Sequence, residues 1–286
     1  MKILVTGAKG FLAKHLVTRL LSLGYSVIPF DLEEGDLTAS GALDAYLDQD
    51  IKHVFHLAGK TFVPDSWIKP EGFYRINFNG TLNVLEFCRK SGAKLTHISS
   101  YLYGAPEYLP IDENHPLKAY NPYSHSKLIA ENTCVYYGAT FDVPCCILRP
   151  FNVYGPGQPG NFLIQEIIGK VNNPEVDTVE VMDLRPKRDY VFIDDLVDVF
   201  VLSIQGASGI YNLASGVSYS VAEIAQMILE ISKINKPIKD FGNERKNEIL
   251  DLYADISRAE TQLKWKPKTS IQQGLKLSVE AFQRRI

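Results

Sequence analysis

Lys2-Ile-Leu-Val-Thr-Gly-Ala-Lys-Gly-Phe-Leu-Ala-Lys14 decides the fold of this chain. Ile3 to Val5 is a short apolar run with the length and β-branched content of a buried parallel strand. It breaks at Gly7-x-x-Gly10-x-x-Ala13, after which Leu12, Leu16, Leu20 and Leu23 recur at helical spacing while Lys14 and Arg19 fall elsewhere. A tight strand-to-helix turn lacking side chains lets backbone N–H groups, at the positive end of the helix, close on a pyrophosphate. Ala13 is small enough for the helix to lie against the strand. Glycine spacing alone is a weak signal, but with the strand before it and the helix after it the turn reads as a dinucleotide site.

Bulk properties narrow the function classes. A chain of 286 residues can bury a large core, as one domain or as one domain with a lobe. Its net charge of −3 supplies no basic field, so nucleic acid is not expected as a partner. No apolar stretch approaches the ~20 residues of a membrane span, and Met1 leads straight into a strand, so neither a membrane segment nor a signal peptide is expected. Cys88, Cys134, Cys145 and Cys146 lack metal-site spacing and read as small buried hydrophobes. The expected compartment is a reducing cytoplasm.

Strands and helices then alternate. Strands are expected at Tyr25–Phe30, His53–Leu57, Lys94–Ile98 and Val143–Leu148, with helices at Leu43–Leu47, Phe73–Arg89 (stopped by Gly92) and Ser124–Tyr137. This rhythm predicts an α/β fold, a Rossmann-type doubly wound parallel sheet over residues 1–150. From Pro150 onward Pro/Gly-rich loops carry helices at Leu163–Lys170, Asp195–Ile204, Val221–Ser232 and Gly274–Arg284. Residues 151–286 are expected to form mainly a smaller, interleaved substrate lobe, with about 185–210 returning to the first unit. Asp36 follows Asp31 too closely for another helix and strand, so the sheet is expected to be shortened after its second strand. Asp31 stands where a carboxylate accepts bonds from the adenosine ribose, which favours NAD over NADP. An ordinary loop-capping aspartate would also look like this.

The chemistry is expected in Tyr123-Ser-His-Ser-Lys127, preceded by Ser99. Residues four apart share a helix face, so Tyr123 and Lys127 point together. Free tyrosine titrates at about 10. An adjacent lysine ammonium, with the positive nicotinamide ring, favours the phenolate, and each tenfold change in that equilibrium is worth about 1.4 kcal/mol. Such a tyrosine exchanges a proton with a sugar or alcohol oxygen, and Ser99 would hydrogen-bond the same oxygen. His125 is expected to face away, at the surface.

The chain resembles the extended short-chain dehydrogenase/reductase family, within it the nucleotide-sugar epimerases, dehydratases and 4-keto reductases. The likeness runs through Thr6-Gly-Ala-Lys-Gly-Phe-Leu, Asp36-Leu37, His56-Leu-Ala-Gly59, Asn77-Phe-Asn-Gly-Thr-Leu-Asn-Val-Leu-Glu86 and Ser99-Ser-Tyr-Leu-Tyr-Gly104. It continues through Tyr123 and Lys127, Arg149-Pro-Phe-Asn-Val-Tyr-Gly-Pro156, Arg188-Asp-Tyr-Val-Phe-Ile-Asp-Asp195, Tyr211-Asn212 and Leu263-Lys-Trp-Lys-Pro267. The resemblance implies that Gly7, Gly10, Phe11 and Leu12 hold the pyrophosphate, Asp31 the ribose, and Asp36 and Leu37 the adenine. It implies that Leu57, Ala58, Gly59 and Asn77 line the path to the nicotinamide, and that Ser99, Tyr123 and Lys127 do the catalysis. Ser100, Asn152, Phe162, Arg188 and Arg245 would hold the nucleotide-diphosphate sugar, with Tyr154 nearby. Related proteins often dimerise through the helices corresponding to Phe73–Arg89 and Ser124–Tyr137, so a homodimer is expected by analogy.

The arginines suit a substrate with two phosphates, since a planar guanidinium binds them bidentately. Alternatively, Arg188 pairs with Asp194 or Asp195, and Arg245 is a solvated loop charge. A 4,6-dehydratase of this kind would carry Asp-Glu directly after the catalytic Thr/Ser, where this chain has Ser100-Tyr101. Two activities remain, a nucleotide 4-keto-6-deoxysugar reductase using NADH or NADPH and a 4-epimerase retaining NAD. The shortened segment after Asp31 and Asp183-Leu-Arg-Pro-Lys-Arg-Asp189 look like the reductases, while His56-Leu-Ala-Gly-Lys60 and Ser99-Ser-Tyr-Leu-Tyr-Gly look like the epimerases. The reductase is favoured. A catalytically idle NAD(P)-binding regulator on the same fold is a third reading.

Overall fold

The computed structural model describes residues 1–242 and 248–284. The chain begins with β1 (Lys2–Thr6), α1 (Phe11–Ser22) and β2 (Ser26–Phe30), followed by a single 3-10 stretch at Asp44–Gln49 and β3 (Ile51–His56). The short helices α2 (Val63–Ile68) and α3 (Pro70–Phe73) lead into a wide, π-type turn at Tyr74–Asn79 and then α4 (Gly80–Ser91). β4 (Lys94–Ile98), α5 (Pro122–Phe141) and β5 (Cys145–Pro150) complete the first half. The second half runs β6 (Asn152–Tyr154), α6 (Leu163–Asn172), β7 (Val179–Val181), β8 (Lys187–Phe192), α7 (Ile193–Ser203), β9 (Gly209–Leu213), β10 (Ser218–Ser220), α8 (Val221–Ser232) and β11 (Ile238–Asp240). A π-type turn at Ala259–Leu263 precedes α9 (Ile271–Gln283).

The main sheet has the order β2-β1-β3-β4-β5-β9 and is parallel throughout. β2 is its edge strand. The helix and strand that a full doubly wound half would add beyond it are replaced by the irregular segment before Asp44. β9 returns to this sheet beside β5. Around it stand a three-stranded sheet, β10-β8-β6, and the two-stranded β11-β7.

The largest apolar cluster joins Ile3 and Val5 of β1 and Leu16 and Leu20 of α1 to Ile164 of α6, Phe200 of α7 and Ile228 of α8, so the second half packs into the same core as the first. Leu23, placed by helical spacing on the inner face of α1, is instead exposed, because α1 has ended one residue earlier. The long helix expected at Phe73–Arg89 begins at Pro70 and is interrupted at Tyr74–Asn79. Gly92 ends α4 with φ of 72°, the left-handed conformation that glycine adopts without steric cost. α5 starts at Pro122, where Asn121 accepts from the Ser124 N–H and Ser124 returns a bond to Asn121. That reciprocal cap fixes the turn that carries Tyr123.

Candidate active site

Conserving space is the task of the first turn. Gly7 has φ of +66°, and a Cβ there would lie 2.7 Å from both N and Cα of Ala58. Only glycine lets the loop after β3 lie this close to the loop after β1. The Gly10 N–H donates to Gly7 C=O at 2.9 Å, and α1 starts at Gly10 with no side-chain cap. Its first N–H groups therefore have no side chain to satisfy them, the arrangement that receives an anion. Phe11 meets His15 edge-on, and Leu12 packs on the main core. The residues present fit a dinucleotide diphosphate.

Asp31 follows β2, and its carboxylate already accepts the N–H groups of Lys9 (2.8 Å) and Leu32 (2.9 Å). It caps the turn, the second of the roles open to it from sequence. Carboxylate oxygens have further acceptor capacity for ribose hydroxyls. Asp36 accepts both the N–H (2.9 Å) and the hydroxyl (2.8 Å) of Thr38, which hold its pKa below the usual carboxylate value. Leu37 is buried, and Asn83 Nδ2 donates to its C=O at 2.8 Å.

Leu57, Ala58 and Gly59 form the loop beyond β3, at the same sheet end as the Gly7 turn. Asn77, inside the π-type turn, holds that loop. Its Oδ1 accepts the Lys60 N–H at 2.8 Å, and its Nδ2 donates to Lys60 C=O (3.1 Å) and to Ser126 Oγ on α5 (2.9 Å). Every polar atom of this buried amide is engaged, which ties the loop to the helix of Tyr123 and Lys127.

Phe73 meets the Tyr123 ring edge-on at 6.4 Å. Burial pushes the pKa of Tyr123 up to about 12, with the Ser100 hydroxyl acting in the opposite direction. Lys127 is 4 % exposed, and burial lowers its pKa to about 8. Its Nζ donates to the C=O of Ile98. Ser99 follows β4 directly, is buried, and its Oγ has no hydrogen-bond partner among the described residues. Ser100 is part-buried. His125 is exposed and bonded to Tyr74 Oη at 2.9 Å.

Behind this group lies a row of polar side chains. Thr6, His56 and His97 are register partners on β1, β3 and β4, and all are buried. Burial lowers the pKa of His56 to about 3 and that of His97 well below normal, with the Lys127 charge acting in the same direction. Both rings are neutral.

On the substrate side, Arg188 in β8 donates to the backbone C=O of Lys187 (2.8 Å) and Ile249 (2.6 Å) and pairs with Glu248 at 2.5 Å. The alternative partners expected from sequence lie elsewhere. Asp194 approaches His15, and Asp195 accepts the Thr269 N–H. Asn152 bridges Tyr101 Oη (3.1 Å) and Asp189 C=O (3.0 Å). Phe162 meets Phe62 edge-on at 6.5 Å, joining the loop after β3 to the start of α6. Tyr154 is a core residue, 1 % exposed between Tyr190 and Phe192, and stands outside the cleft. Arg245 lies outside the described residues.

Sequence reasoning did not single out Glu248 or Asp189. Asp189 is buried and accepts from Ser215 N–H (2.7 Å), Ser215 Oγ (2.6 Å), Gly216 N–H (2.9 Å) and Ala254 N–H (3.2 Å). It gathers two segments, at Ser215–Gly216 and at Ala254, around the strand that carries Arg188, and burial raises its pKa to about 6. Its position beside Arg188 in sequence was the available signal.

Comparison with known proteins agrees with this geometry. Residues 3–214 match the NAD dependent epimerase/dehydratase family. A GDP-6-deoxy-D-mannose reductase of Pseudomonas aeruginosa is 29% identical over 100% of this chain and 98% of its own length. A putative UDP-glucose 4-epimerase of Methanocaldococcus jannaschii is 32% identical over 96% of each. The solved structure of RMD from Pseudomonas aeruginosa complexed with NADPH superposes with a TM-score of 0.92 at 28% identity, covering 100% of this chain and 99% of that one. A UDP-glucose 4-epimerase from Thermotoga maritima, solved with UDP-glucose, gives 0.93 at 26% identity over the same shares. With the glycine turn, the parallel sheet and the Tyr123–Lys127 helix all in place, this chain belongs to the NAD dependent epimerase/dehydratase family.

Proposed function

We propose that this protein is a reductase of nucleotide 4-keto-6-deoxysugars that uses NADH in preference to NADPH. The observation carrying an oxidoreductive site is the placement of Tyr123 and the buried Lys127 on α5, with Lys127 Nζ donating to Ile98 C=O next to Ser99, whose buried Oγ has no partner among the described residues. The end-to-end likeness to a GDP-6-deoxy-D-mannose reductase supports reduction as the net outcome. Asp31, Glu33 and Glu34 crowd the turn after β2, where a 2′-phosphate would meet like charge, and this supports NADH.

Gly7, Gly10 and the N-terminus of α1 would hold the dinucleotide diphosphate, and the Leu57–Gly59 loop with Asn77 the nicotinamide end. When bound, the reduced cofactor supplies the hydride for the sugar C4. The protein's own residues handle the proton. The Ser99 hydroxyl donates to the C4 oxygen and orients it, and Tyr123 delivers its proton to that oxygen as charge builds there. A neutral phenol, held so by burial, is the correct starting form for a proton donor. The Lys127 ammonium lies on the same helix face and stabilises the phenolate left behind. Arg188 offers its guanidinium to the substrate diphosphate and exchanges Glu248 for phosphate oxygens. Tyr101 is committed to Asn152 and stacked on Phe151, so the position after Ser100 supplies no acid for removing water.

A second reading, a 4-epimerase that retains NAD, draws on the likeness to the Methanocaldococcus jannaschii relative. The same Ser99, Tyr123 and Lys127 would serve it. Purified protein separates the two. The reductase arrives with little bound NAD(H) and consumes NADH when given a nucleotide 4-keto-6-deoxysugar. Bound NAD(H), together with interconversion of C4 epimers and no net cofactor use, would overturn the reductase reading.

A further inference from the structure

His56 stands beneath the cofactor loops, 1 % exposed, and touches neither solvent nor the cleft. Its two ring nitrogens reach two threonines, Nδ1 to Thr6 Oγ1 at 2.8 Å and Nε2 to Thr81 Oγ1 at 2.9 Å. The direction of each bond follows from the groups at the ends. Thr81 Oγ1 donates its one proton to the Asn77 C=O at 2.6 Å, so toward His56 it can only accept. Nε2 therefore carries the hydrogen and Nδ1 is the acceptor. Thr6 must donate to Nδ1, and its oxygen is then available to the Ala58 N–H at 3.3 Å. The opposite tautomer would leave the 2.6 Å contact between Thr81 and Asn77 without a proton.

From the Ala58 N–H the bonds pass through Thr6, His56 and Thr81 to the Asn77 carbonyl. The Asn77 side chain then closes the circuit by bonding both backbone groups of Lys60, two residues beyond Ala58. The loop after β3 is thus held at both ends by one oriented ring of hydrogen bonds. Every donor in it is used, so a change at one link is felt at the others.

We propose that His56 is a positioning residue for the nicotinamide half of the cofactor, fixing the Ala58–Lys60 loop and Asn77 relative to each other through this closed circuit. The inference rests on the proposed assignment of this loop and Asn77 to the nicotinamide end. It predicts a selective effect, because the adenosine and diphosphate sites on Gly7, Gly10 and Asp31 lie outside the circuit.

The test titrates the full-length protein calorimetrically with NADH and with ADP-ribose, the same molecule without its nicotinamide ring. His56→Leu is expected to weaken NADH about tenfold and leave ADP-ribose within about twofold. Thr81→Val keeps side-chain shape, removes one link, and is expected to weaken NADH about threefold with ADP-ribose again unchanged. Should His56→Leu fail to fold, Thr81→Val alone carries the test. Equal losses for both ligands, or no loss for either, overturn the proposal and leave His56 a core residue only. Asn77→Ala separates the two levels of argument. If it lowers the NADH-to-ADP-ribose affinity ratio while His56→Leu and Thr81→Val do not, the positioning role is wrong and the site reading stands. If Asn77→Ala also leaves the ratio unchanged, the assignment of the nicotinamide end is wrong as well.

Discussion

The two sides of the proposed site are prepared differently. On the proposed cofactor side the glycine turn, the Leu57–Gly59 loop and Asn77 are fixed by backbone geometry and satisfied bonds before any ligand arrives. On the proposed substrate side Arg188 is bonded to a protein carboxylate and two carbonyls. One wall is preorganised, and the other must exchange an internal partner for the ligand. Affinity on the first side should fall when shape is disturbed, and on the second when charge is removed.

The largest expected difference between the walls is in their response to pH. Burial lowers the pKa of His53 and His56 to about 3 and that of His97 well below normal, so all three rings are neutral in the folded protein. Unfolded histidine titrates near 6.5. Between about pH 6.5 and 3 the unfolded chain binds more protons, so their contribution is complete above about 6.5 and is lost as pH falls, by several kcal/mol per ring at the low end. Asp189 has the opposite sign. With its carboxyl raised to about 6, its contribution is complete below about pH 3.9 and is lost as pH rises through 6. Three rings outweigh one carboxyl, and urea midpoints should drop steeply from pH 7 to 5. A flat profile would show that the polar row is wetter than its burial indicates.

Tyr123→Phe should reduce turnover by about 10²–10⁴-fold, since a general acid contributes about that much, with NADH affinity within a few-fold of the parent protein. Stopped-flow NADH oxidation alongside calorimetry checks both. Arg188→Leu should raise KM for the nucleotide sugar by an amount equivalent to about 1.5–3 kcal/mol, the range for a charged hydrogen bond, and leave dinucleotide affinity alone. A variant that does not fold would instead assign Arg188 to a structural pairing with Glu248. Gly7→Ala should do the reverse, weakening NADH through about 1–3 kcal/mol of left-handed strain and the approach to Ala58, with little change in substrate KM. Asp31→Ala gives the smallest effect, about 1 kcal/mol against NADH and less against NADPH, because its oxygens also serve the turn. Equal losses for both cofactors would reduce Asp31 to its capping role.

Much of the first wall was legible in the sequence because its signals are local. The Gly7–Gly10 turn, the shortened segment after Asp31 and the Gly92 stop each depend on a few adjacent residues. The wide turn was not legible. Tyr74 to Asn79 has ordinary helical content, and its winding accompanies bonds from Asn77 to a loop and to α5, far off in sequence. β6, β7, β10 and β11 have three residues each, too few for alternation to register. The Arg188–Glu248 pair spans sixty positions, and no short-range pattern announces it.

That wide turn also sets which changes of length the chain can accept. A regular α-helix advances about 100° per residue, so over the eight positions from Phe73 to Thr81 it would carry the two side chains about 80° apart around the axis, a spread that wider winding reduces. The wider winding brings Phe73, Asn77 and Thr81 inward together, all buried. Phe73 then meets Tyr123, and Thr81 meets His56. Arg75 and Asn79, both exposed, are open to substitution. Deleting either leaves seven positions between Phe73 and Thr81, close to two full turns of a regular helix, so the segment can lose one residue and keep both contacts in phase, whereas an added residue would turn them apart.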